Sequence, residues 1–380
     1  MSNKSKTFVI LGATSWKYYF NRGGYFAIEL AKKGYKVFFI EEMPSVASRL
    51  KYLFNNPFRN IETVSHPNLI ILTPPICFTF FRSSYVPIID RFQLKLWMKK
   101  IILKYNLDNS ILLYTFPYWR YLGITKSLFN AECTIFDIAD DVEMFSRNKL
   151  AFRRMKLATE ILRNESDIIL YSSNAMEKKY SLTQTNCNFI SNGVSDKYFE
   201  EEPVFLNNKN NIKDKIKIGF IGNFDNRTLD IQLIHTLSNI NNFKIEICGA
   251  VNVNQQKLLP NCSFHGYLEL KEVILFLKSC DVCIIPFKIN NLTSVINPLK
   301  LYQYLSLGKP IVTMRTDDLE FYSTLVYLAN SESEFIKMIN KAINEDCAEL
   351  QLKRIQFAKK NLWSDKVNEI EKLIGLNIND

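Results

Sequence analysis

The fold is decided by residues 7–40, which read TFVILGATSWKYYFNRGGYFAIELAKKGYKVFFI. Apolar runs predict a first strand at residues 7–11, which is followed by Gly12, and a second strand at residues 36–40. Apolar residues then recur at helical spacing from Tyr25 to Ala31, and Gly34 ends that helix before a second apolar run. Strand, loop, helix and strand within about 35 residues indicate a βαβ unit with parallel strands.

The same alternation continues along the chain. Further strands are predicted at residues 69–72, 110–115, 134–137, 167–172, 216–221, 244–248, 263–265, 282–287 and 311–314, with helices at 228–238, 270–279 and 299–307. Alternating strands and helices imply parallel sheets. A polar segment rich in Asn and Lys, residues 201–214, predicts a linker between two such series. We therefore expect Rossmann-like domains at residues 1–200 and 201–360, and a helix in residues 361–380 that packs back across their junction.

Composition narrows the class of protein. The chain has 380 residues, of which 47% are hydrophobic and 23% charged, as in globular proteins of two or three domains. It lacks a run of about 18 uncharged apolar residues, and the short apolar run near its start predicts a strand rather than a signal peptide. The net charge of +10 is spread along the chain without a long basic block, which disfavours nucleic acid as a partner.

The eight cysteines include one C-x-x-C pair, Cys280 and Cys283. Such a pair could be a redox motif or half of a zinc site. No second pair stands at zinc-finger spacing, and the motif lies where a helix runs into an apolar strand, so small buried hydrophobes are the better interpretation. Thiols without an export signal predict a reducing, cytoplasmic location.

The first loop and the start of the following helix supply four candidate ligand-binding residues, which are Ser15, Trp16, Arg22 and Gly23. Its sequence GATSW is not the G-x-G-x-x-G motif of dinucleotide-binding proteins. A cation and two glycines before a helix could bind an anion, and a simple tight turn explains them equally well.

Acidic residues follow a predicted strand in the segment FDIADD, residues 136–141. Open α/β sheets bind ligands beyond the carboxyl ends of their strands, so a carboxylate here could be a general base or a metal ligand. Capping of a helix by Asp140 or Asp141 is the alternative. The D-x-D spacing of many metal sites is absent, and we predict no metal and no other cofactor.

The second domain opens with IGFIGNF, residues 218–224, and later contains NPLKLYQYLSLGKP, residues 297–310. In the latter, Asn297 is expected to cap a helix whose first residue is Pro298. Lys300 then lies in the first turn, where free N–H groups favour a pyrophosphate, and Gln303 lies one turn further on the same face, where it could bind hydroxyls. An ordinary capped helix with a solvated lysine would produce the same pattern.

Taken in order, these motifs resemble the GT-B glycosyltransferases, and in particular the bacterial group 1 (family 4-like) enzymes of the teichuronic-acid type. The segments SNGV (191–194) and FHGY (264–267) belong to the same resemblance. It implies an α/β fold of two Rossmann-like domains facing a central cleft, with a nucleotide-sugar held by the second. The donor-binding residues that it implies are Gly222, Asn223, Gly266, Tyr267, Asn297, Pro298, Leu299, Lys300 and Gln303. The candidate residues near the start of the chain, Ser15, Trp16, Arg22 and Gly23, are then predicted to bind the acceptor.

One departure from the family pattern bears on mechanism. Many retaining members carry an E-x7-E pair, but here the two positions hold Val295 and Gln303. The Lys-Leu-x-Gln-Tyr form is similar to the inverting glucuronosyltransferase of the xanthan pathway. That similarity implies Asp140 as the general base, with Asp141 as the fallback if the loop register differs by one residue. Retention, a UDP-sugar epimerase and a non-catalytic sugar-nucleotide-binding protein remain alternatives.

The resemblance implies a UDP-sugar donor and a glycan or lipid-linked glycan acceptor in the synthesis of a bacterial surface polysaccharide. A second feature concerns location. Residues 91–104, RFQLKLWMKKIILK, form a basic amphipathic stretch that could lie on an anionic membrane at the inner face of the plasma membrane. A core-packed helix with a solvated basic face is the alternative.

Overall fold

The computed structural model describes residues 6–18, 21–44, 62–75, 88–141, 149–200, 215–251, 253–257 and 259–376. The chain divides into two compact units, one formed by Met1–Ser191 with Lys366–Asp380 and the other by Asn192–Asp365. The predicted linker at 201–214 lies outside the described residues.

The first unit contains an eight-stranded sheet of order β3-β4-β2-β1-β5-β6-β7-β8. Its strands are β1 Thr7–Leu11, β2 Lys36–Ile40, β3 Glu62–His66, β4 Leu69–Leu72, β5 Ile111–Tyr114, β6 Cys133–Ile138, β7 Ile168–Tyr171 and β8 Cys187–Phe189. Only β3 runs antiparallel to its neighbour. The central strands are continuously apolar because helices cover a parallel sheet on both faces.

The described helices of this unit are α1 Arg22–Lys32, α2 Ile88–Tyr105, α3 Tyr118–Tyr121, α4 Lys149–Glu165 and α5 Asn174–Tyr180, with 3-10 turns at Trp16–Tyr18 and Lys126–Leu128. The first of them, α1, begins with the predicted site residues Arg22 and Gly23. Helix α1 begins after Asn21, whose side chain accepts a hydrogen bond from the backbone N–H of Gly24. This cap fixes Arg22 and Gly23 in the first turn of α1.

The second unit contains a six-stranded sheet of order β11-β10-β9-β12-β13-β14, and every strand pair in it is parallel. Its strands are β9 Ile216–Ile221, β10 Phe243–Cys248, β11 Cys262–Gly266, β12 Val282–Ile285, β13 Ile311–Met314 and β14 Tyr327–Ala329. Numbered along the chain, this is the Rossmann order 3-2-1-4-5-6. The strand order reverses between β9 and β12, and ligands of such sheets bind at the carboxyl ends of the strands beside that point.

Helices cover this second sheet and supply much of its core. They are α6 Ile231–Ser238, α7 Val253–Lys257, α8 Leu270–Ser279, α9 Leu299–Ser306, α10 Asp317–Glu320, α11 Glu332–Glu345 and α12 Ala348–Lys359, with 3-10 turns at Asp196–Phe199 and Thr293–Val295. Cys280 and Cys283 are free thiols in the core. A Cβ added to Gly219 of β9 would lie 2.5 Å from the Sγ of Cys280, so this thiol fills space against the strand.

The last described helix is α13, Trp363–Leu373. Near its end, Glu371 forms an ion pair with Lys33 and accepts a hydrogen bond of 2.7 Å from the hydroxyl of Tyr35. These contacts fasten the end of α13 to the first unit, and packing across the domain junction stays a prediction. None of the described helices is both long and apolar enough to span a bilayer.

Candidate active site

Three neighbouring strands of the second sheet are followed by, or end in, glycines with positive φ angles. These are Gly222 after β9 (132°), Gly249 after β10 (143°) and Gly266 at the end of β11 (68°). The N–H of Gly222 donates to the carbonyl of Cys248 (2.9 Å), and that of Gly249 donates to the carbonyl of Gly266 (2.7 Å). Because L side chains rarely adopt these φ values, the edge presents bare backbone that a ligand can approach closely.

Packing requires a glycine at position 249 and leaves little room for a side chain at position 222. A Cβ at Gly249 would lie 2.0 Å from the carbonyl oxygen of Gly222. At Gly222 itself, a Cβ would lie 3.2 Å from Cε and 3.3 Å from Nζ of Lys300. The predictions included Gly222 and Gly266 but missed Gly249, although a glycine directly after an apolar strand was a visible signal.

Lys300 lies in the first turn of α9, beside the point where the strand order reverses. Its Nζ is 4.8 Å from the ring centroid of Phe220 in β9 and 5.4 Å from that of Phe287, which follows β12. Among the described residues, no carboxylate pairs with this ammonium group. Its side chain is half-buried, and desolvation lowers the pKa of Lys300 to about 8. A partly desolvated cation without an anion, beside free helix N–H groups and bare backbone, is suited to a phosphate ligand.

Tyr304 connects helix α9 to the end of strand β9. Its fully buried hydroxyl accepts a hydrogen bond of 2.9 Å from the backbone N–H of Ile221, the last residue of β9. The contact ties the strand end to α9 and so fixes Gly222 relative to Lys300. Gln303 lies three residues beyond Lys300 on the same helix and is half-buried.

The expectation that Asn297 caps this helix is wrong. Pro298 occupies the N-cap position, and α9 begins at Leu299. The buried Asn297 side chain instead donates to the hydroxyl of Tyr322 (3.0 Å) and to Asp318 (3.4 Å), so it holds the preceding loop in place. The remaining predicted donor residues, Asn223 and Tyr267, are solvent-exposed beside Gly222 and Gly266.

In the first unit, Asp140 follows β6 by two residues and is fixed by its neighbours. The carbonyl of Ala139 accepts a hydrogen bond of 2.7 Å from the hydroxyl of Ser172. Asp141 is fully buried, is ion-paired with Lys179 and accepts a hydrogen bond of 3.1 Å from the hydroxyl of Tyr180. Asp140 is exposed, and the described residues offer its carboxylate no hydrogen-bond or ion-pair partner. Of the two predicted catalytic carboxylates, Asp141 is therefore held by an ion pair and a hydrogen bond, whereas Asp140 has no such partner among the described residues.

The electrostatic environment of Asp140 favours a base that works near neutral pH. Although water reaches this carboxylate, nearby protein atoms displace enough solvent to raise its pKa to about 6. Repulsion by Asp137 adds to that rise, and attraction by Arg22 opposes it. A proton acceptor is most effective when its pKa lies near the working pH.

Arg22, predicted to bind acceptor, forms a buried ion pair with Asp137. Its Nε lies 2.9 Å from both carboxylate oxygens, and its Nη1 donates to the carbonyl of Ser191 (2.9 Å). Gly23 packs closely against Thr115. A Cβ at position 23 would lie 2.9 Å from the Thr115 methyl group. The observed contacts of Arg22 support the end of β6, and its binding of acceptor stays a prediction.

The other two predicted acceptor residues meet at Glu41. The hydroxyl of Ser15 and the backbone N–H of Trp16 both donate to Glu41 Oε1, at 2.9 and 2.6 Å. Glu41 is buried at the end of β2, so it organises the first loop. Across the described ranges, no group of three or more His, Cys, Asp or Glu side chains is placed to hold a metal ion.

Part of the chain is similar in sequence to known glycosyltransferases. Residues 215–345 match the family described as Glycosyl transferases group 1. Over 237 residues the chain is 27% identical to the "Putative teichuronic acid biosynthesis glycosyltransferase TuaH" of Bacillus subtilis (strain 168). That match covers 54% of this chain and 56% of the relative, about half the length of each.

Solved structures extend the likeness to nearly the whole chain. Sucrose-phosphate synthase from Thermosynechococcus elongatus superimposes with a TM-score of 0.72 at 12% identity, covering 97% of this chain and 98% of that one. The Anabaena protein HepE in complex with UDP-glucose gives a TM-score of 0.68 at 11% identity, covering 97% and 99%. The chain therefore has the GT-B fold, and its residues 215–345 are similar to the glycosyl transferases group 1 family.

Proposed function

We propose that this chain is a glycosyltransferase that moves a sugar from a UDP-sugar to a hydroxyl of a glycan or lipid-linked glycan, in the synthesis of a bacterial surface polysaccharide such as a capsule or exopolysaccharide. The observation that carries the proposal is the Lys300 ammonium group beside the glycine edge of the second sheet, which pairs with no carboxylate among the described residues. The name of the Bacillus relative and the UDP-glucose bound to HepE support the pathway and the nucleotide.

On the donor side, Lys300 binds the pyrophosphate, and Gly222 and Gly249 let that group approach the backbone. Asn223, Gly266 and Tyr267 line the strand ends beside it, and Gln303 binds a hydroxyl of the ribose or of the sugar. Because Lys300 supplies the cation, donor binding needs no metal ion, and a chelator should leave the nucleotide affinity unchanged. The sugar is a hexose or a glucuronate.

On the acceptor side, Asp140 is the general base. It removes the proton from the acceptor hydroxyl as that oxygen forms a bond to the anomeric carbon. The bond from the anomeric carbon to the phosphate oxygen breaks, and UDP leaves with its charge stabilised by Lys300. Direct displacement of this kind inverts the configuration at the anomeric carbon. The free cysteines suit a cytoplasmic location.

Calorimetric titration with UDP, GDP and dTDP tests the donor assignment. UDP should bind most tightly to the wild type, and Lys300→Ala should raise its Kd about tenfold or more, equivalent to about 1.4 kcal/mol. The matched control is Lys271→Ala, which removes an exposed lysine from the first turn of α8. Equal UDP affinity in the wild type and both variants would rule out Lys300 as the phosphate ligand.

Product analysis separates the remaining possibilities. NMR of the product with a UDP-sugar and a glycan acceptor should show inverted configuration at the new linkage. A retained configuration would point to a retaining transferase. Formation of an isomeric UDP-sugar without acceptor would identify an epimerase, and tight donor binding without turnover on any acceptor would identify a binding protein.

A further inference from the structure

Helix α2 of the first unit exposes large apolar side chains to solvent. Its large exposed hydrophobic side chains, with exposures between 47% and 81%, are Ile88, Ile89, Phe92, Leu96 and Leu103. Its inward side is also apolar and packs Leu94, Met98, Ile101 and Ile102. A helix on the surface of a globular protein normally has polar residues on its outward side. Packing against the first unit accounts for the inward apolar residues of α2 but not for the exposed ones.

The exposed stripe is bordered by positive charge. At 100° per residue, Phe92, Leu96, Lys99 and Leu103 project within about 60° of one another. Lys100 follows on one flank and Lys95 on the other, and all three lysines are exposed. The single acidic residue of the helix, Asp90, is 1% exposed. The outward side of α2 therefore combines apolar and cationic groups and carries no carboxylate.

A groove of about 490 Å³ lies alongside this side of the helix. Its lining includes Ile88, Phe92, Lys95 and Arg91, with Arg120 and Leu122 on the opposite wall. The guanidinium of Arg91 lies 4.5 Å from the Tyr121 ring centroid, and its Nε donates to the Tyr121 carbonyl (2.9 Å). Arg120 is already paired with Glu165, but Lys95 stands beside the apolar side chains of the groove, a combination that suits a phosphate carrying an apolar chain.

We propose that the α2 face, defined as Phe92, Lys95, Leu96, Lys99, Lys100 and Leu103, binds the surface of an anionic lipid bilayer. The apolar side chains enter the boundary between headgroups and acyl chains, and the lysines meet lipid phosphates. A second copy of the chain is a poorer occupant, because two such faces would bring lysines against lysines. The face is distinct from the residues assigned to donor and base, so its test is independent of the proposed transferase activity.

Vesicle flotation with the full-length protein tests this proposal. The protein should float with vesicles of phosphatidylglycerol and phosphatidylcholine, float much less with phosphatidylcholine alone, and be released by added salt. The triple variant Phe92→Ser, Leu96→Ser, Leu103→Ser should lower the partition coefficient by about tenfold or more. Its control is Leu275→Ser, which removes a 60% exposed leucine from α8 and should float like the wild type.

A second variant tests whether binding depends on the lysines of the α2 face or on the net charge of the protein. Lys95→Glu, Lys99→Glu, Lys100→Glu should also lower partition by about tenfold or more. The control Lys337→Glu, Lys353→Glu, Lys360→Glu makes the same change in net charge at exposed lysines of the second unit and should retain most of the binding. UDP affinity measured without vesicles should be the same in all of these variants, and circular dichroism with urea unfolding should show that the first unit of the α2 variants is folded as in the wild type.

Three results would overturn the proposal. The wild-type protein could stay in the soluble fraction with anionic vesicles. The control charge variant could lose as much binding as the α2 variant, which would reduce the effect to net charge. Finally, sedimentation could show a wild-type dimer that the serine variant dissociates, which would make the face an interface between two copies.

Discussion

The carboxyl edges of the two sheets share a Rossmann arrangement but are built by opposite means. In the first unit, the edge after β6 is crowded with charges that pair with one another, Arg22 with Asp137 and Lys179 with Asp141, while Asp140 has no such partner among the described residues. In the second unit, glycines remove side chains from the edge, and Lys300 lies beside Gly222.

The difference teaches how one fold can present two kinds of chemistry. Asp140 and Lys300 each lack an ion-pair partner among the described residues, and the pKa of each is shifted toward neutrality, to about 6 and about 8. A carboxylate with a raised pKa accepts protons, whereas a desolvated ammonium group gains most from an anionic ligand. The first edge therefore suits the acceptor hydroxyl and the second suits the donor phosphates.

The largest expected effect is on the free energy of unfolding of the first unit, through the buried ion pair at the end of β6. Arg22→Gln leaves Asp137 buried without its cation and should lower the free energy of unfolding of the first unit by about 3 to 5 kcal/mol. Urea unfolding measures this change. The control is Glu165→Gln, which breaks the ion pair with Arg120 at a half-exposed position and should cost less than about 1 kcal/mol. Equal costs for the two variants would mean that the Arg22 pair is not a support of this edge.

The next effect distinguishes the available carboxylate from the engaged one. Asp140→Asn should reduce kcat by a factor on the order of 10² or more while leaving the UDP Kd unchanged, because only the proton acceptor is lost. Asp141→Asn should instead lower stability by about 1 to 3 kcal/mol, since Lys179 and Tyr180 lose their partner, and should keep most of its turnover. In the wild type, kcat/KM should fall as the pH drops through about 6, where Asp140 becomes protonated. Near-wild-type turnover by the Asp140 variant would remove it as the base.

A smaller effect tests the glycine edge. Gly249→Ala would force a Cβ against the carbonyl of Gly222 and should raise the UDP Kd about tenfold, as expected for strain of about 1 to 3 kcal/mol. Gly34→Ala is the control, because its φ is also positive, at 95°, but nothing lies within 4 Å of the new Cβ. An unchanged UDP affinity in the Gly249 variant would show that the edge tolerates side chains and does not bind the donor.

Most of the fold could be predicted from the sequence because buried parallel strands are short apolar runs bounded by glycine or polar residues. Strands β1, β2, β4, β9 and β13 have the predicted bounds. Strand β3 was missed because its sequence ETVSH is mostly polar, and β14 because it has only three residues. Helices α11 and α12 were not predicted either.

The candidate site was only partly predictable, because its contacts join residues far apart in the chain. Asp140 and Lys300 could be named from their positions after a strand and at the start of a helix. The pairing of Arg22 with Asp137 spans 115 positions, and no local pattern indicates it. Asn297 was taken as a cap because its residue type favours that position, yet it bonds to Asp318 and Tyr322, which lie beyond the helix.

The central claim is that Lys300, which pairs with no carboxylate among the described residues, holds the donor phosphates, and the pH dependence of UDP binding tests it most directly. In the wild type, the UDP Kd should be nearly constant well below pH 8 and should rise by up to tenfold per pH unit above about 8, as the free ammonium group loses its proton. In Lys300→Ala, affinity should already be weak and should show no such rise. If the two proteins give parallel curves over this range, Lys300 does not hold the phosphates.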